Sequence, residues 1–302
     1  MARVGELLRK QGHFLLENET YAFLYIAMLA LIPFASWLSA AIIALITLRK
    51  GWVSGFKGVV VGIVSLLVPS LMTLLSTAGI FNALMTFLPC FVMACVLRTT
   101  ASWRVTAGLM VLLSLLGIAL IHGLIPELIS EQYRFIMAVL KELEREGTIS
   151  GLLNNQEAFN PIIIANYVIG IQAVSILLSA TASLMLARGV QARLFYPGGY
   201  RQEMLTFRAS SWGVLLLLIT AIGTYYESPL AISSLPILVV YYLCAGMSLG
   251  FNILTKGKGI GTFFLLLLPL VLLPFITLPI YVILGALDSL FNFRSRLLLK
   301  AG

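Results

Sequence analysis

The chain has 302 residues, of which 60% are hydrophobic and 11% charged, and its formal net charge is +8. An ordinary soluble domain carries about 25% charged residues, so this composition excludes the soluble classes. Apolar runs of about 18 or more residues, each long enough to cross a bilayer as a helix, recur along the chain. The composition predicts an all-α, polytopic integral membrane protein built as a helical bundle.

The N-terminal segment, residues 1–19, is predicted to form an interfacial amphipathic helix. Its apolar residues fall near one helical face, and most of its charged residues fall elsewhere. The apolar face consists of Val4, Leu7, Leu8, Gln11, Phe14 and Leu15. The rest of the chain, residues 20–302, is predicted to be a single transmembrane domain.

About eight membrane segments are predicted within that domain. They cover residues 20–48, 56–75, 79–97, 105–125, 162–187, 212–226, 229–252 and 262–287. The first would extend about 43 Å as one helix, against a hydrocarbon core of about 30 Å, and it contains Pro33 near its middle. The last contains three prolines. Each of these two segments is predicted to be either a simple span or a broken, re-entrant one.

Basic loops alternate with loops that carry little basic charge, which sets the predicted orientation. The basic loops lie at 49–57, 98–104, 188–208 and 256–258, and the others at 76–78, 126–160 and 227. Because basic loops stay in the cytoplasm, this pattern explains the net charge without a nucleic-acid partner. Eight simple spans would place both ends outside, although the C-terminal tail is basic. Two broken segments would return both ends to the cytoplasm.

The segment 126–160 is predicted to be an external helical insertion. After Pro126, apolar residues recur at spacings of 4, 3, 4 and 3, which is typical of an amphipathic helix, and Gly147 is a natural stop. The apolar positions are Ile129, Tyr133, Ile136, Leu140 and Leu143. Such a helix could lie on the outer membrane surface or cap a cavity.

The sequence predicts neither catalysis nor a metal or cofactor. Asp288 is the only aspartate, and neither His13 nor His122 has a partner at the spacing of a metal site or a nucleophile–base pair. No ionisable residue lies near the centre of a span, since His122 and Asp288 fall at span ends. Ion-driven transport normally needs such a residue, so it is disfavoured.

The loop 188–208 is the strongest candidate binding segment in the sequence. Pro197-Gly198 suits the two central positions of a type II turn, and arginines flank it, with Glu203 as a potential internal partner. The loop could bind an anionic headgroup or a partner, or it could be an ordinary positive-inside loop with a tight turn. The candidate residues are Arg193, Pro197, Gly198, Gly199, Arg201, Glu203 and Arg208.

Small residues repeat every four positions in the first membrane segment, at Ser36, Ala40 and Ala44. Small residues at this spacing let a second helix approach closely. The face could therefore dock on a separate membrane subunit, or it could serve packing within the chain.

Three stretches together resemble the YybS-like bacterial membrane proteins, a family defined only as a domain of unknown function. They are Pro33 with Trp37-Leu38-Ser39-Ala40-Ala41 and Arg49-Lys50-Gly51; Leu194-Phe195-Tyr196-Pro197-Gly198-Gly199-Tyr200 with Glu203 and Arg208; and Asp288-Ser289-Leu290-Phe291-Asn292-Phe293-Arg294. The resemblance covers essentially the whole chain. It implies a multi-pass protein of the bacterial cytoplasmic (inner) membrane, with Asp288, Phe291, Phe293 and Arg294 as a C-terminal motif.

In broad design the chain is also similar to the substrate-binding subunits of energy-coupling-factor transporters, which have six membrane segments. That similarity implies a small-solute binding or uptake component, with the Ser36, Ala40 and Ala44 face docking on an energising ATPase module. The eight predicted segments and the external insertion depart from that pattern. The alternative is a non-enzymatic membrane organiser that binds lipid or a cytoplasmic protein through its basic loops.

Overall fold

The computed structural model describes residues 12–71, 77–145, 160–254 and 261–294. Across these ranges the chain is all-helical, as predicted, and contains no strand. Five helices are long and apolar enough to cross a membrane: Gly79–Thr100, Trp103–Leu124, Ile162–Phe195, Pro229–Leu254 and Pro274–Phe291. The described chain therefore has the helices that a multi-pass membrane protein needs.

The helices are numbered here in chain order. The first six are α1 (Glu19–Leu31), α2 (Ser36–Lys50), α3 (Trp52–Leu71), α4 (Thr77–Thr100), α5 (Trp103–Leu124) and α6 (Pro126–Arg145). The next six are α7 (Pro161–Phe195), α8 (Gly199–Thr206), α9 (Trp212–Tyr225), α10 (Pro229–Leu254), α11 (Gly261–Leu272) and α12 (Pro274–Phe291). Each predicted membrane segment is helical over nearly all of its described residues, but the first and the last each divide into two helices.

The helices group into two compact units. Unit 1 comprises Met1–Met110 and Ser175–Phe207, and unit 2 comprises Val111–Val174 and Arg208–Gly302. The helices α5 and α7 each continue from one unit into the other.

The N-terminal amphipathic helix is described from residue 12, where residues 12–17 are helical. Leu15 and Leu16 pack against the core of unit 1. Gly12 faces Val190 so closely that an added Cβ would lie 2.7 Å from the valine side chain. This part of the segment therefore packs partly on the protein itself. Residues 1–11 of the prediction lie outside the described residues, as do the Gly147 stop and the rest of 146–159.

In unit 1 the first predicted membrane segment is a hairpin of α1 and α2. The Ser39 hydroxyl donates a hydrogen bond of 2.9 Å to the carbonyl of Ile26. Nearer the open end, the Lys50 ammonium lies 2.9 Å from the Glu19 carboxylate, 31 residues earlier. Because the residues that flank the two ends of the segment touch, the segment folds back on itself. A single continuous helix over 20–48 is excluded.

Proline explains why the hairpin turns where it does. A residue before proline avoids the helical region, and Ile32, before Pro33, is extended with φ −79° and ψ 124°. Phe34 follows with a left-handed φ of +63°. The 13 residues of α1 extend only about 20 Å, which is less than the 30 Å or so of a hydrocarbon core.

In unit 2 the last predicted segment also folds back, between α11 and α12. The Thr277 hydroxyl donates to the Pro269 carbonyl at 3.1 Å, and the Tyr281 hydroxyl donates to the Leu266 carbonyl at 3.0 Å. Residues as far apart in sequence as Leu266 and Tyr281 would be separated by about 22 Å in a straight helix. These bonds therefore require a return of the chain, and it occurs at Leu273, directly before Pro274.

The helices α10 and α12 of unit 2 cross at two glycines. A Cβ added to Gly246 would overlap the backbone carbonyl of Tyr281, and one added to Gly285 would overlap the carbonyl of Tyr242. At each glycine, therefore, the backbones of the two helices are in contact with no side chain between them. Such contacts favour association in an apolar medium, where the hydrophobic effect does not drive helices together.

We expect Gly246→Ala to destabilise the protein by about 1–3 kcal/mol, because the added methyl group forces the two backbones apart. The matched control is Gly117→Ala, since no atom lies within 4 Å of a Cβ added there. Thermal unfolding of both variants in the same detergent measures the difference. Equal melting temperatures for the two variants would contradict the close crossing.

Candidate functional site

A polar cluster joins three helices of unit 2. His122, in the last turn of α5, places Nε2 3.0 Å from the hydroxyl of Ser233 in α10. That hydroxyl also lies 3.5 Å from the side-chain oxygen of Asn166 in α7. Asn166 is 1% exposed and Ser233 is fully buried. These helices thus bring three hydrogen-bonding side chains together within a mostly apolar unit.

The local sequence brings α7 and α10 close together at this cluster. Gly170 lies one turn after Asn166, and a Cβ added to it would be 2.5 Å from the carbonyl oxygen of Ser233. Pro236 in α10 has no N–H to donate to the carbonyl of Ile232. The close packing and the proline therefore concentrate polar backbone and side-chain atoms at one place.

Polar side chains inside a membrane are costly unless they are paired, and they commonly mark binding sites or pathways. In the cluster, Asn166 also donates to the Ile162 carbonyl at 2.8 Å, and the Ser233 hydroxyl lies 3.1 Å from the Pro229 carbonyl. The cluster is thus internally hydrogen-bonded, and it offers both donors and acceptors.

Sequence reasoning found only one member of this cluster. His122 was noted at a span end, whereas Asn166 and Ser233 were not singled out. The available signal was a lone asparagine near the start of an apolar run. The missing information was that α5, α7 and α10 meet, which the sequence does not show.

The segment predicted as the loop 188–208 is mostly helical, since residues 188–195 belong to α7 and residues 199–206 to α8. The predicted type II turn between these two helices is confirmed. The backbone N–H of Gly199 donates to the carbonyl of Tyr196 at 3.0 Å, which closes a four-residue turn. Gly198 has φ 90° and ψ −20°, the values of the third position of a type II turn. Pro197 at the second position excludes the mirror-image type I′ turn, because its φ is fixed near −65°. The turn joins α7 to the short helix α8.

Glu203 in α8 is held by Trp103 and Arg188. The indole N–H of Trp103 donates to the carboxylate at 2.9 Å, and Arg188 donates through Nε at 3.1 Å and through a second nitrogen at 2.5 Å. Burial alone would raise the pKa of Glu203, but the hydrogen bonds and the charge of Arg188 outweigh it and lower that pKa. The carboxylate is therefore ionised at neutral pH. Its stabilising effect is lost only on acidification, as the pH falls through the lowered pKa.

The three predicted arginines of this segment belong to different units. Arg193 and Arg201 are exposed in unit 1. Arg208 belongs to unit 2, where it donates to the backbone carbonyl of Ser289 at 2.8 Å. The partner of Glu203 is Arg188, which the sequence analysis placed in the loop without assigning it a role.

Residues of the C-terminal motif are joined by hydrogen bonds at the end of α12. Asp288 is fully buried and accepts hydrogen bonds from the Arg294 side chain at 3.0 Å and from the Phe293 backbone at 3.1 Å. Arg294 also reaches the Ser248 hydroxyl at 3.4 Å, whereas the Phe291 side chain is 53% exposed. Breaking a buried ion pair typically costs about 3–5 kcal/mol, so this motif has a structural role.

The small-residue face of α2 is used for packing within unit 1. Ala40 is 1% exposed and Ala44 is fully buried, and both lie in the core of that unit. The Cys90 thiol of α4 contacts the Ala40 carbonyl at 3.6 Å. Ser36, one turn earlier, is partly exposed. As the helices are placed, Ala40 and Ala44 are not accessible to a separate subunit.

No protein-family model, no curated protein and no solved structure matches this chain. Among the described residues there is no group of three or more His, Cys, Asp or Glu side chains that could hold a metal ion.

We expect Glu203→Gln to loosen the loop 188–208, because the substitution removes the charged partner of Arg188. Tryptic cleavage after Arg193 and Arg201 should accelerate by about tenfold, which corresponds to losing about 1.4 kcal/mol of local stability. The control is Glu131→Gln, at an exposed position in α6. An unchanged cleavage rate in the Glu203 variant would show that the ion pair does not hold the loop.

Proposed function

We propose that this chain is a multi-pass protein of the bacterial cytoplasmic (inner) membrane that binds a small polar solute, as the substrate-binding component of an uptake system. The observation that carries the proposal is the cluster of His122, Asn166 and Ser233. Polar side chains from three apolar helices are expensive to bury, and they are typical of solute sites in membrane proteins.

The proposal includes about eight membrane segments, of which six cross the bilayer and two are re-entrant. The crossing helices are α3, α4, α5, α7, α9 and α10. The re-entrant segments are the two hairpins, α1–α2 and α11–α12. The helix α12 is long enough to cross by itself, but in this proposal it pairs with the shorter α11, to which Thr277 and Tyr281 donate hydrogen bonds. The helix α9 is short, at about 21 Å, and residues 207–210, which precede it outside any helix, add to its reach.

This arrangement accounts for the charge pattern better than eight simple spans. Six crossings and two returning hairpins put all four basic loops, together with Arg294 in the C-terminal region, on one side. The positive-inside rule identifies that side as the cytoplasm. The outer side then carries α6 and the turn at Glu227.

Two further features support the solute-binding proposal. Interrupted membrane helices are common at transporter binding sites, and both hairpins interrupt an apolar segment at a proline. Six crossing helices also equal the number in the energy-coupling-factor subunits that the chain resembles. Because Ala40 and Ala44 are buried, an energising ATPase module would dock elsewhere, and the exposed Arg193 and Arg201 of the basic loop are the proposed contact.

We expect green fluorescent protein to fluoresce when fused to either end of the chain, because both hairpins return the chain to the cytoplasm. Alkaline phosphatase, which needs the periplasm, should be inactive at both ends and active when inserted after Glu227. Active phosphatase at both ends would contradict the re-entrant hairpins and restore eight simple spans. An active phosphatase at one end would place a crossing in that hairpin.

For the solute site, we expect a thermal-shift screen of small polar solutes on the purified protein to find at least one that raises the melting temperature. Ser233→Ala should lower the affinity of the protein for that solute by about tenfold, because one hydrogen bond in the cluster is lost. Ser65→Ala is the matched control, since Ser65 bonds only within its own helix, to Val61 at 2.8 Å.

Three results would argue against the solute-binding proposal. They are the absence of any stabilising solute, a solute unaffected by Ser233→Ala, and native mass spectra that show only lipid or a soluble protein partner. The last result would favour the alternative, a membrane organiser.

A further inference from the structure

An open cleft of about 470 Å³ lies in unit 1 where α2 ends and α3 begins. Its lining includes Lys50 and Gly51 from the turn, Trp52 from the first turn of α3, and Arg98 and Thr99 from the end of α4. This volume falls within the range of about 300–1,000 Å³ that is typical of small-ligand sites. We call it the Gly51 cleft.

The Arg98 side chain lies across the turn at Gly51. Its Nη1 donates to the carbonyl of Thr47 at 2.9 Å, and a Cβ added to Gly51 would lie 2.9 Å from the same nitrogen. Gly51 has a φ of +114°, which L side chains rarely adopt. A guanidinium has five N–H donors, and this bond uses one of them. The turn therefore fixes an arginine whose outer edge faces the cleft.

Lys50 supplies the second positive charge of the cleft. Its ammonium has three donors, one of which bonds to Glu19 at 2.9 Å. Glu19 lies on the neighbouring helix α1. The Gly51 cleft is lined by two cations and by no acidic side chain.

A neighbouring cleft is less suited to an anion. It lies beside His13, Glu17, Arg49 and Phe195. The Glu17 carboxylate is part of its lining, and the Arg49 guanidinium stacks on the Phe195 ring at 4.1 Å.

An exposed apolar strip adjoins the Gly51 cleft on α3. Trp52 is 68% exposed, Val53 52% and Phe56 51%. Tryptophan is enriched where a membrane meets water, and α3 is a crossing helix in the proposed topology. The strip therefore leads from the charged cleft towards the hydrocarbon region.

We propose that the Gly51 cleft binds the headgroup of an anionic phospholipid of the cytoplasmic leaflet. The phosphate lies between Arg98 and Lys50, and the acyl chains lie along Trp52, Val53 and Phe56. Charge complementarity selects the anionic lipid, and the exposed apolar strip selects a lipid over a free anion. This inference does not depend on the solute-binding proposal, which concerns unit 2.

The test is native mass spectrometry of the full-length protein, titrated in detergent with phosphatidylglycerol or phosphatidylcholine. We expect wild-type protein to bind phosphatidylglycerol more tightly than phosphatidylcholine. Arg98→Gln should lower the affinity for phosphatidylglycerol by about fivefold, because each basic residue near an anionic lipid contributes a factor of this size to the affinity. Arg104→Gln, at an exposed position in the same basic region but not in the lining of the cleft, should have no effect.

Trp52→Ala gives a second test, because Trp52 is a surface side chain whose removal opens no core. The substitution should weaken the binding of phosphatidylglycerol and leave the melting temperature in lipid-free detergent unchanged. Equal binding of the two lipids, or unchanged binding by both Arg98→Gln and Trp52→Ala, would overturn the proposal. If sodium phosphate alone displaces phosphatidylglycerol at millimolar concentration, the site binds free phosphate and the assignment to a lipid is wrong.

Discussion

The closure of the first hairpin is the constraint on which the proposed topology most depends. The Ser39–Ile26 hydrogen bond and the Glu19–Lys50 ion pair hold α1 against α2, and α1, at about 20 Å, is too short to cross a bilayer by itself. In the proposed topology, a closed first hairpin returns the chain to its starting side, and this return reverses the direction in which every later helix crosses. The second hairpin, held by Tyr281 and Leu266, does the same for the C-terminal end. The orientation of the crossing helices in the proposed topology thus follows from the two hairpins.

Much of the fold could be predicted from the sequence because membrane helices have a strong local signal. Length and hydropathy located the helical segments, and the prolines marked where two of them break. Whether a broken segment crosses or returns depends on contacts that hydropathy does not report. The Ser39 hydroxyl bonds to the Ile26 carbonyl rather than to its own turn, and only three-dimensional packing decides that. The alternation of basic loops pointed the same way, but it is a property of the whole chain.

The candidate sites were predicted less well, because their members are distant in sequence. His122 and Ser233 are 111 residues apart, and Arg208 contacts Ser289, 81 residues later. Adjacency in sequence grouped Arg208 with Arg193 and Arg201, although the structure assigns it to the other unit. By contrast, the Pro197-Gly198 turn was predictable because its geometry depends on two neighbouring residues. The polar cluster in unit 2 and the basic cleft in unit 1 are the proposed sites of two different binding chemistries.

Because the first hairpin is local, it can fold before the rest of the chain exists. A ribosome adds about 5–20 residues per second, whereas helices form within about a microsecond. The hairpin can therefore close while α3 is still being synthesised, so that the basic turn at Arg49 and Lys50 is retained on the side of synthesis. A substitution that opens the hairpin would then misdirect the insertion of all later helices. Its effect would be a smaller amount of correctly inserted protein, rather than a lower melting temperature of the protein that does insert.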